Sequence, residues 1–200
     1  MLFFDERGIG MKLIDISREL FSAPLYSGDP APYRELIRRM ELGDTYNLSA
    51  FYMGCHNGTH IDAPRHFIED GKTIEQLDLS RFTGECTVVE RTGMITGADI
   101  DEILPVSKNM ILFKGQACLC ESAAFALTDA GVTLVGTDAL NIEADAESFP
   151  AHKQLLGAEV LILEGLDLSL AEPGNYRLIA FPLLMEGAEA SPVRAVLIQE

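Results

Sequence analysis

Short apolar runs rich in β-branched residues recur along the chain, and polar or glycine-containing segments separate them. Composition and alternation predict that seven of these runs are strands, namely 13–17, 86–90, 110–113, 132–135, 160–163, 177–181 and 194–198. Two intervening segments predict helices: Glu121–Asp129 precedes the capping signal Ala130-Gly131, and 150–156 starts at a proline and stops at Gly157. The helix-to-strand alternation in the second half favours an α/β fold class, although it leaves the topology undetermined.

The length of 200 residues and the hydrophobic content of 48% predict one compact domain with a large core. No stretch is rich enough in Pro, Gly or Ser to be a linker, and no fixed-period repeat occurs. Met11 opens the first strand-like run, so residues 1–10 are predicted to be a flexible arm or an alternative start, and residues 11–200 the domain itself.

The formal net charge of −16, from 15 basic and 31 acidic residues, makes nucleic acid an unfavourable partner. The first residues lack the basic opening and long apolar stretch of a signal peptide, and no segment offers about 18 uninterrupted apolar residues for a membrane helix. We therefore expect a cytoplasmic protein without a membrane partner. Without an export signal, the four cysteines are expected to be reduced thiols.

Three of the four histidines lie within eleven residues, at His56, His60 and His66. Glycine at position 58 and proline at position 64 disfavour a continuous helix here. An extended strand would instead place positions 56, 58, 60 and 62 on one face, so that two imidazoles and the Asp62 carboxylate converge. Such a set suits zinc or manganese, and His66, after the proline, could be a further ligand or a proton carrier. A surface loop with incidental histidines is the alternative.

A second candidate pair lies near the C-terminal end of the chain. His152 falls in the predicted helix 150–156, and Glu164 ends the apolar run that follows it. A carboxylate in that position is often only the first exposed residue after a buried strand. We interpret Glu164 as a metal ligand together with His152, because the other three histidines already belong to one predicted site. A buried carboxylate is tolerated when it binds a metal.

The segment from His56 to His66 fills every specified position of HxGTHxDxPxH, and it resembles the signature of the cyclase-like family that includes bacterial kynurenine formamidases. The similarity extends through 15–17, 28–30, 136–138, 152–164 and 191–195. The resemblance implies a swivelling β/β/α single domain and a homo-oligomer, a dimer or tetramer. It also implies that His56, His60 and Asp62 hold one divalent metal, that Asp62, His152 and Glu164 hold a second, and that His66 is the catalytic acid/base.

The activity that this resemblance implies is metal-dependent hydrolysis of an amide bond, above all that of an arylformamidase releasing formate from N-formylkynurenine. Tyr26, Phe51, Tyr52 and Phe67 are candidate walls for the aromatic ring of the substrate, with ordinary core packing as the alternative for each. The turn at 26–30 is a candidate lid.

Three departures from kynurenine formamidases weaken the inference of one particular substrate: Ser27 replaces a common proline, 114–116 replaces a Thr-Gly segment, and Asn141 replaces a serine. A related lactam or amide hydrolase of the same family therefore stays open. A metal-binding protein without turnover is a further alternative, although a purely structural site gains nothing from an extra proton carrier such as His66.

Overall fold

The computed structural model describes residues 2–4 and 10–199, with side chains from Met11 onward. The strands in these ranges are β1 Leu2–Phe4, β2 Gly10–Asp15, β3 Tyr33–Arg38, β4 Leu48–Tyr52, β5 His60–Asp62, β6 Thr83–Glu90, β7 Met94–Ile95, β8 Met110–Lys114, β9 Cys118–Leu119, β10 Leu134–Thr137, β11 Leu161–Glu164, β12 Gly174–Ile179, β13 Ala190–Pro192 and β14 Val196–Gln199. The helices are α1 Gly97–Ile103, α2 Glu121–Asp129 and α3 Pro150–Gly157. Short 3-10 turns cover Met40–Leu42, Pro64–His66, Ile74–Gln76, Leu79–Phe82 and Leu104–Val106.

One large mixed sheet organises the chain, with strand order β1-β2-β14-β12-β6-β8-β10-β11-β5-β13. At its centre, the four neighbouring strands β6, β8, β10 and β11 are parallel. The flanking pairs are antiparallel. Parallel neighbours need crossover connections, and α1, α2 and α3 lie in the three connections between the central strands. The predicted α/β single-domain class is thereby confirmed.

Two apolar clusters cover the two faces of this sheet. On one face, Ile111, Val135 and Ile162 pack with the buried sides of the three helices. On the other face, Leu112 and Leu163 belong to a cluster that also contains Ile14 of β2, although β2 and β11 are distant in the strand order. The sheet must therefore curl to bring these strands around a common core.

The predicted elements of the second half are present with small shifts in their ends. Helix α2 has the predicted bounds, α3 is one residue longer than predicted, and β10 begins two residues later than the predicted strand. Residues 2–4, within the predicted arm, pair with β2. Residues 1 and 5–9 lie outside the described residues, so the flexible arm or alternative start stays a prediction. No helix in the described part of the chain has the length and apolar character needed to cross a membrane.

A separate two-stranded hairpin, not predicted from the sequence, consists of β3 and β4. Tyr33 pairs with Tyr52, and a bulge interrupts the register between Leu36 and Arg38. None of the eleven strand residues is buried in the described structure, whereas most residues of β8, β10 and β11 are. Polar and apolar residues do not alternate clearly along these strands, which is why the period-2 pattern missed them.

Candidate metal centre

The residues before β5 form a tight turn rather than the predicted strand, so that prediction is wrong for positions 56–59. The physical reason is the backbone of Gly58, whose φ of 68° is typical of glycine in the left-handed region. The buried Thr59 hydroxyl fixes the turn by donating to the carbonyl of Gly165 (2.7 Å) and accepting from the amide of Arg18 (2.9 Å). The turn folds His56 back over the strand instead of placing it along one face.

Strand pairing then places carboxylates beside the next histidine. In the antiparallel pair of β5 and β11, His60 is directly opposite Glu164, and Asp62 is two residues further along β5. Side chains at opposed and alternate positions project from the same face of a sheet. Ile61, between them, points into the opposite core. His152 comes from α3, which packs against β11 on the same face as Ile162.

The six predicted residues converge on one small volume. The Nε2 atom of His60 lies 3.5 Å from Oδ1 of Asp62 and 3.5 Å from Oε2 of Glu164. His56 approaches the other side of Asp62, with its Nδ1 atom 3.1 Å from Oδ1, and the Nε2 atom of His152 lies 3.4 Å from Oε1 of Glu164. Possible ligand atoms of His56, Asp62 and His66 all lie within 4.8 Å of one another, as do those of His60, Asp62 and Glu164.

The opposite ring nitrogens of three histidines face acceptors outside the cluster. His60 presents Nδ1 to the carbonyl of Gly58 at 3.1 Å, and His152 presents Nδ1 to Oε2 of Glu143 at 3.3 Å. His56 presents Nε2 to Oε1 of Glu189 at 3.3 Å. A carbonyl oxygen only accepts, so Nδ1 of His60 carries a proton, and in the neutral ring the lone pair of Nε2 points at two carboxylates.

Burial and charge together determine how these groups titrate. Burial opposes the charged form of His60 and of His152, but the adjacent carboxylates outweigh it and raise the pKa of each ring to about 9. Burial also opposes ionisation of Asp62 and Glu164, yet the neighbouring histidines hold the pKa of both carboxyl groups below its ordinary value. The site therefore favours two carboxylates balanced by positive charge.

Two buried atoms at the centre of the cluster have no hydrogen-bond partner among the residues that the structure describes: Nε2 of His60 and Oδ1 of Asp62. Such orphaned groups are costly in a protein interior unless a cation satisfies them. Imidazole nitrogens and carboxylate oxygens together form a donor set suited to a divalent ion such as zinc or manganese. The residues present therefore fit a divalent metal at this position.

His66 lies at the edge of the cluster, after the 3-10 turn that Pro64 begins. Its ring centroid is 4.2 Å from that of His56 and 4.5 Å from that of Phe67. Burial is the main influence on this ring, and it lowers the pKa of His66 despite the opposing charge of Asp62. A neutral imidazole at neutral pH can take up a proton, which is what an acid/base group beside the metal would require.

A cavity of about 180 Å³ opens onto this side of the cluster. Phe67, Phe149, Leu140 and Tyr26 supply apolar surface, whereas Asn141 and Asp29 supply polar groups. Of the four aromatic residues predicted as ring walls, Tyr26 and Phe67 line this cavity. Phe51 lines a different groove, and Tyr52 lies exposed on the hairpin. The 26–30 turn thus borders the cavity, while its role as a lid stays a prediction.

Sequence reasoning missed the outer partners of the histidines and one cavity wall. Glu143 and Glu189 carried no signal, because each is one acidic residue in a loop of a very acidic chain. Phe149 has a φ of 52°, unusual for a residue other than glycine, and its ring lies 5.2 Å from that of Phe67 and 5.8 Å from that of His152. Strained backbone of this kind clusters at functional sites.

Comparison with known proteins supports the same picture. A family model described as "Putative cyclase" matches residues 14–144. A kynurenine formamidase from Salinibacter ruber is 37% identical over 206 aligned positions, which cover 94% of this chain and 97% of that protein.

Two solved structures have the same fold. A potential metal-dependent hydrolase with cyclase activity superposes with a TM-score of 0.83 at 34% identity, covering 95% of this chain and 98% of that one. An isatin hydrolase A from Ralstonia solanacearum also has a TM-score of 0.83, covering 95% of this chain and 92% of that one. At its 20% identity, this second similarity demonstrates the fold alone.

Proposed function

The chain belongs to the cyclase family and is a hydrolase with a divalent metal site, and we propose that it is an arylformamidase converting N-formylkynurenine to kynurenine and formate. The observation that carries the metal-dependent chemistry is the buried Nε2 atom of His60, which has no hydrogen-bond partner among the described residues. It lies 3.5 Å from each of two buried carboxylates, while Nδ1 faces the carbonyl of Gly58. The amide substrate rests on similarity to kynurenine formamidases over nearly the whole of both chains.

In this proposal His56, His60 and Asp62 would hold one divalent ion, and Asp62, His152 and Glu164 would hold a second. Zinc is the first choice and manganese the second, because both accept mixed imidazole and carboxylate ligands. A bound divalent ion supplies Lewis-acid polarisation of the scissile carbonyl and acidifies a water molecule. The shared position of Asp62 is consistent with its location between His56 and His60.

The side chains around the cavity have separate tasks. His66 takes up a proton when water attacks the formamide carbon and delivers it to the departing aniline nitrogen, which its largely neutral ring allows. Phe67 and Phe149 form apolar walls against which an aromatic ring packs. Asn141 can hydrogen-bond a polar substituent of the substrate. The C–N bond breaks, and the formyl group leaves as formate.

The decisive experiment measures formate release from N-formylkynurenine by metal-free protein reconstituted separately with zinc and with manganese. Rapid release that depends on the added ion supports the arylformamidase. Metal binding without release of formate would exclude this substrate and direct attention to a panel of lactams and other amides. Metal-loaded protein that is inactive on amides, lactams and esters alike would favour a metal-binding role without turnover.

The proposal also includes a cytoplasmic homo-oligomer, either a dimer or a tetramer. The exposed β3–β4 hairpin supports self-association, because an isolated two-stranded ribbon is marginally stable in water. Sedimentation velocity of the purified chain tests this part of the proposal independently of catalysis.

A further inference from the structure

The cavity beside the metal centre has walls of two origins. Five of its lining residues belong to the metal centre itself, and the others are Phe67 and residues of the turn at 26–30 and of the loop before α3. Apart from the hydroxyl of Tyr26, the polar side chains of this second set are Asp29 and Asn141. A substrate in the cavity is therefore within reach of a carboxylate and an amide that the hydrolytic step does not use.

A well-defined turn holds the carboxylate of Asp29 at the cavity. The Asp29 amide donates to the carbonyl of Tyr26 at 3.1 Å, which closes a four-residue turn with Gly28 at a φ of 103°. Pro30 follows and packs on Gly54, where a Cβ atom would lie 3.0 Å from the proline ring. Asp29 is partly buried, and among the described residues its carboxylate accepts no hydrogen bond and forms no ion pair. Its charge is therefore available to a ligand.

The cavity itself supplies no basic side chain to balance this charge. In the part of the chain that the structure describes, no lysine or arginine lines it, and two of its histidines already face Asp62 or Glu164. A partly desolvated carboxylate is stabilised most by a cation that donates hydrogen bonds to it. An ammonium group on the ligand is such a cation.

Asn141 presents a hydrogen-bond donor to the same cavity. Its Oδ1 atom accepts from the backbone amide of Glu143 at 2.7 Å. A backbone N–H only donates, so this contact identifies the oxygen of the side-chain amide and leaves the Nδ2 amino group for a ligand. Asn141 therefore suits an acceptor, such as a ketone or carboxylate oxygen.

These groups complement an aromatic formamide that carries an amino-acid side chain. Its ring packs against Phe67 and Phe149, and an oxygen of the side chain accepts from Asn141. Its ammonium group pairs with Asp29. A neutral lactam has no such group, so its binding removes water from the carboxylate without replacing the lost hydrogen bonds. The cavity thus discriminates against neutral amides by leaving a charge unpaired.

We propose that Asp29 is the residue that selects the substrate, and that its carboxylate binds the ammonium group of an amino-acid side chain on the aromatic formamide. This inference rests on the arylformamidase of the proposed function and assigns the residue that distinguishes its substrate from neutral amides. Asp29 acts on substrate binding and takes no part in proton transfer.

The kinetic test compares two formanilides that differ by one ammonium group. Both carry an ortho ketone, which is a β-aminopropanoyl group in one and a propanoyl group in the other. For the zinc-loaded wild type, kcat/KM should be about 10-fold higher for the ammonium substrate, mainly through KM, and Asp29→Asn should remove this preference. Asp101→Asn is the matched control, because Asp101 is exposed on α1, does not line the cavity and carries the same charge. This control variant should keep the wild-type preference.

A binding measurement separates this inference from the proposed reaction and needs no turnover. Calorimetric titration of the zinc-loaded proteins uses the two amines that lack the formyl group. The ammonium-bearing amine should bind about 10-fold more tightly than the neutral one to the wild type and to Asp101→Asn, and should lose this advantage in Asp29→Asn.

The outcomes separate the two proposals. Equal affinities in the wild type, no binding of either amine, or an advantage that survives in Asp29→Asn each overturns the role of Asp29. Formate release without preference for the ammonium group overturns only that role, whereas a preference in binding without formate release overturns only the arylformamidase.

Discussion

Replacement of Glu143 by glutamine tests whether the outer partners of the histidines prepare the site for metal. Oε2 of Glu143 accepts from the backbone amide of His152 at 3.1 Å and faces Nδ1 of the same residue at 3.3 Å. Oε1 accepts from the amide of Asp145 at 3.2 Å. The buried carboxylate thereby fixes both the position of the His152 ring and the proton on Nδ1, leaving Nε2 for the metal.

The structure determines the size of the expected effect. Glutamine has nearly the same shape, and its single carbonyl oxygen can keep only part of these contacts, without the negative charge. A hydrogen bond to a charged group contributes about 1.5–3 kcal/mol. Loss of an outer partner of a metal ligand typically weakens binding about 10- to 100-fold, or about 1.4–2.7 kcal/mol. We expect the zinc affinity of Glu143→Gln to fall within this range.

The assay is competition for zinc between the metal-free protein and a chromophoric chelator. Glu147→Gln is the control, because Glu147 is an exposed glutamate four residues further along the same loop. A thermal melt of each metal-free variant separates a local effect on the ligand from general unfolding. If Glu143→Gln folds and binds zinc as tightly as the control, the assignment of Glu143 as a positioning residue is refuted.

Three further predictions concern protonation, packing and catalysis. The pKa of His60 and His152 is about 9 in the metal-free protein, above the unfolded value of about 6.5, so their stabilising contribution is complete below about pH 6.5 and is lost as pH rises through 9. The melting temperature of the metal-free protein should show this loss as a decrease with rising pH. Its zinc affinity should rise over the same pH range, because the ion displaces both protons. Gly165→Ala should destabilise the fold by about 2–5 kcal/mol in urea unfolding, because φ is 65° there and a Cβ atom would lie 2.4 Å from the carbonyl oxygen of Gly58. Gly131→Ala, with φ of 73° and open space around the Cβ position, should cost only about 1–2 kcal/mol; equal costs would contradict the close-approach argument. His66→Ala should abolish formate release and still bind zinc, whereas His60→Ala should lose both, and full activity in either variant would disprove the assigned role.

Local sequence determined those parts of the molecule that depend on neighbouring residues. The bounds of α2 were predicted from its Ala- and Leu-rich run and the glycine beyond it, and the structure confirms them. The histidine motif was recognisable because its residues lie within one short segment, and Gly58 and Pro64 each have a local conformational task. The excess of acidic residues likewise follows from composition alone.

Tertiary structure decided how the site is assembled, because its members come from distant segments. The register of β5 against β11 places Glu164 opposite His60, and no local pattern specifies which of several apolar strands pair. The turn at Gly58 rather than an extended strand positions His56, since it is anchored by Gly165 far along the chain. Glu143 and Glu189 acquired their importance only through folding, because whether a carboxylate is a surface charge or holds a buried histidine depends on three-dimensional burial.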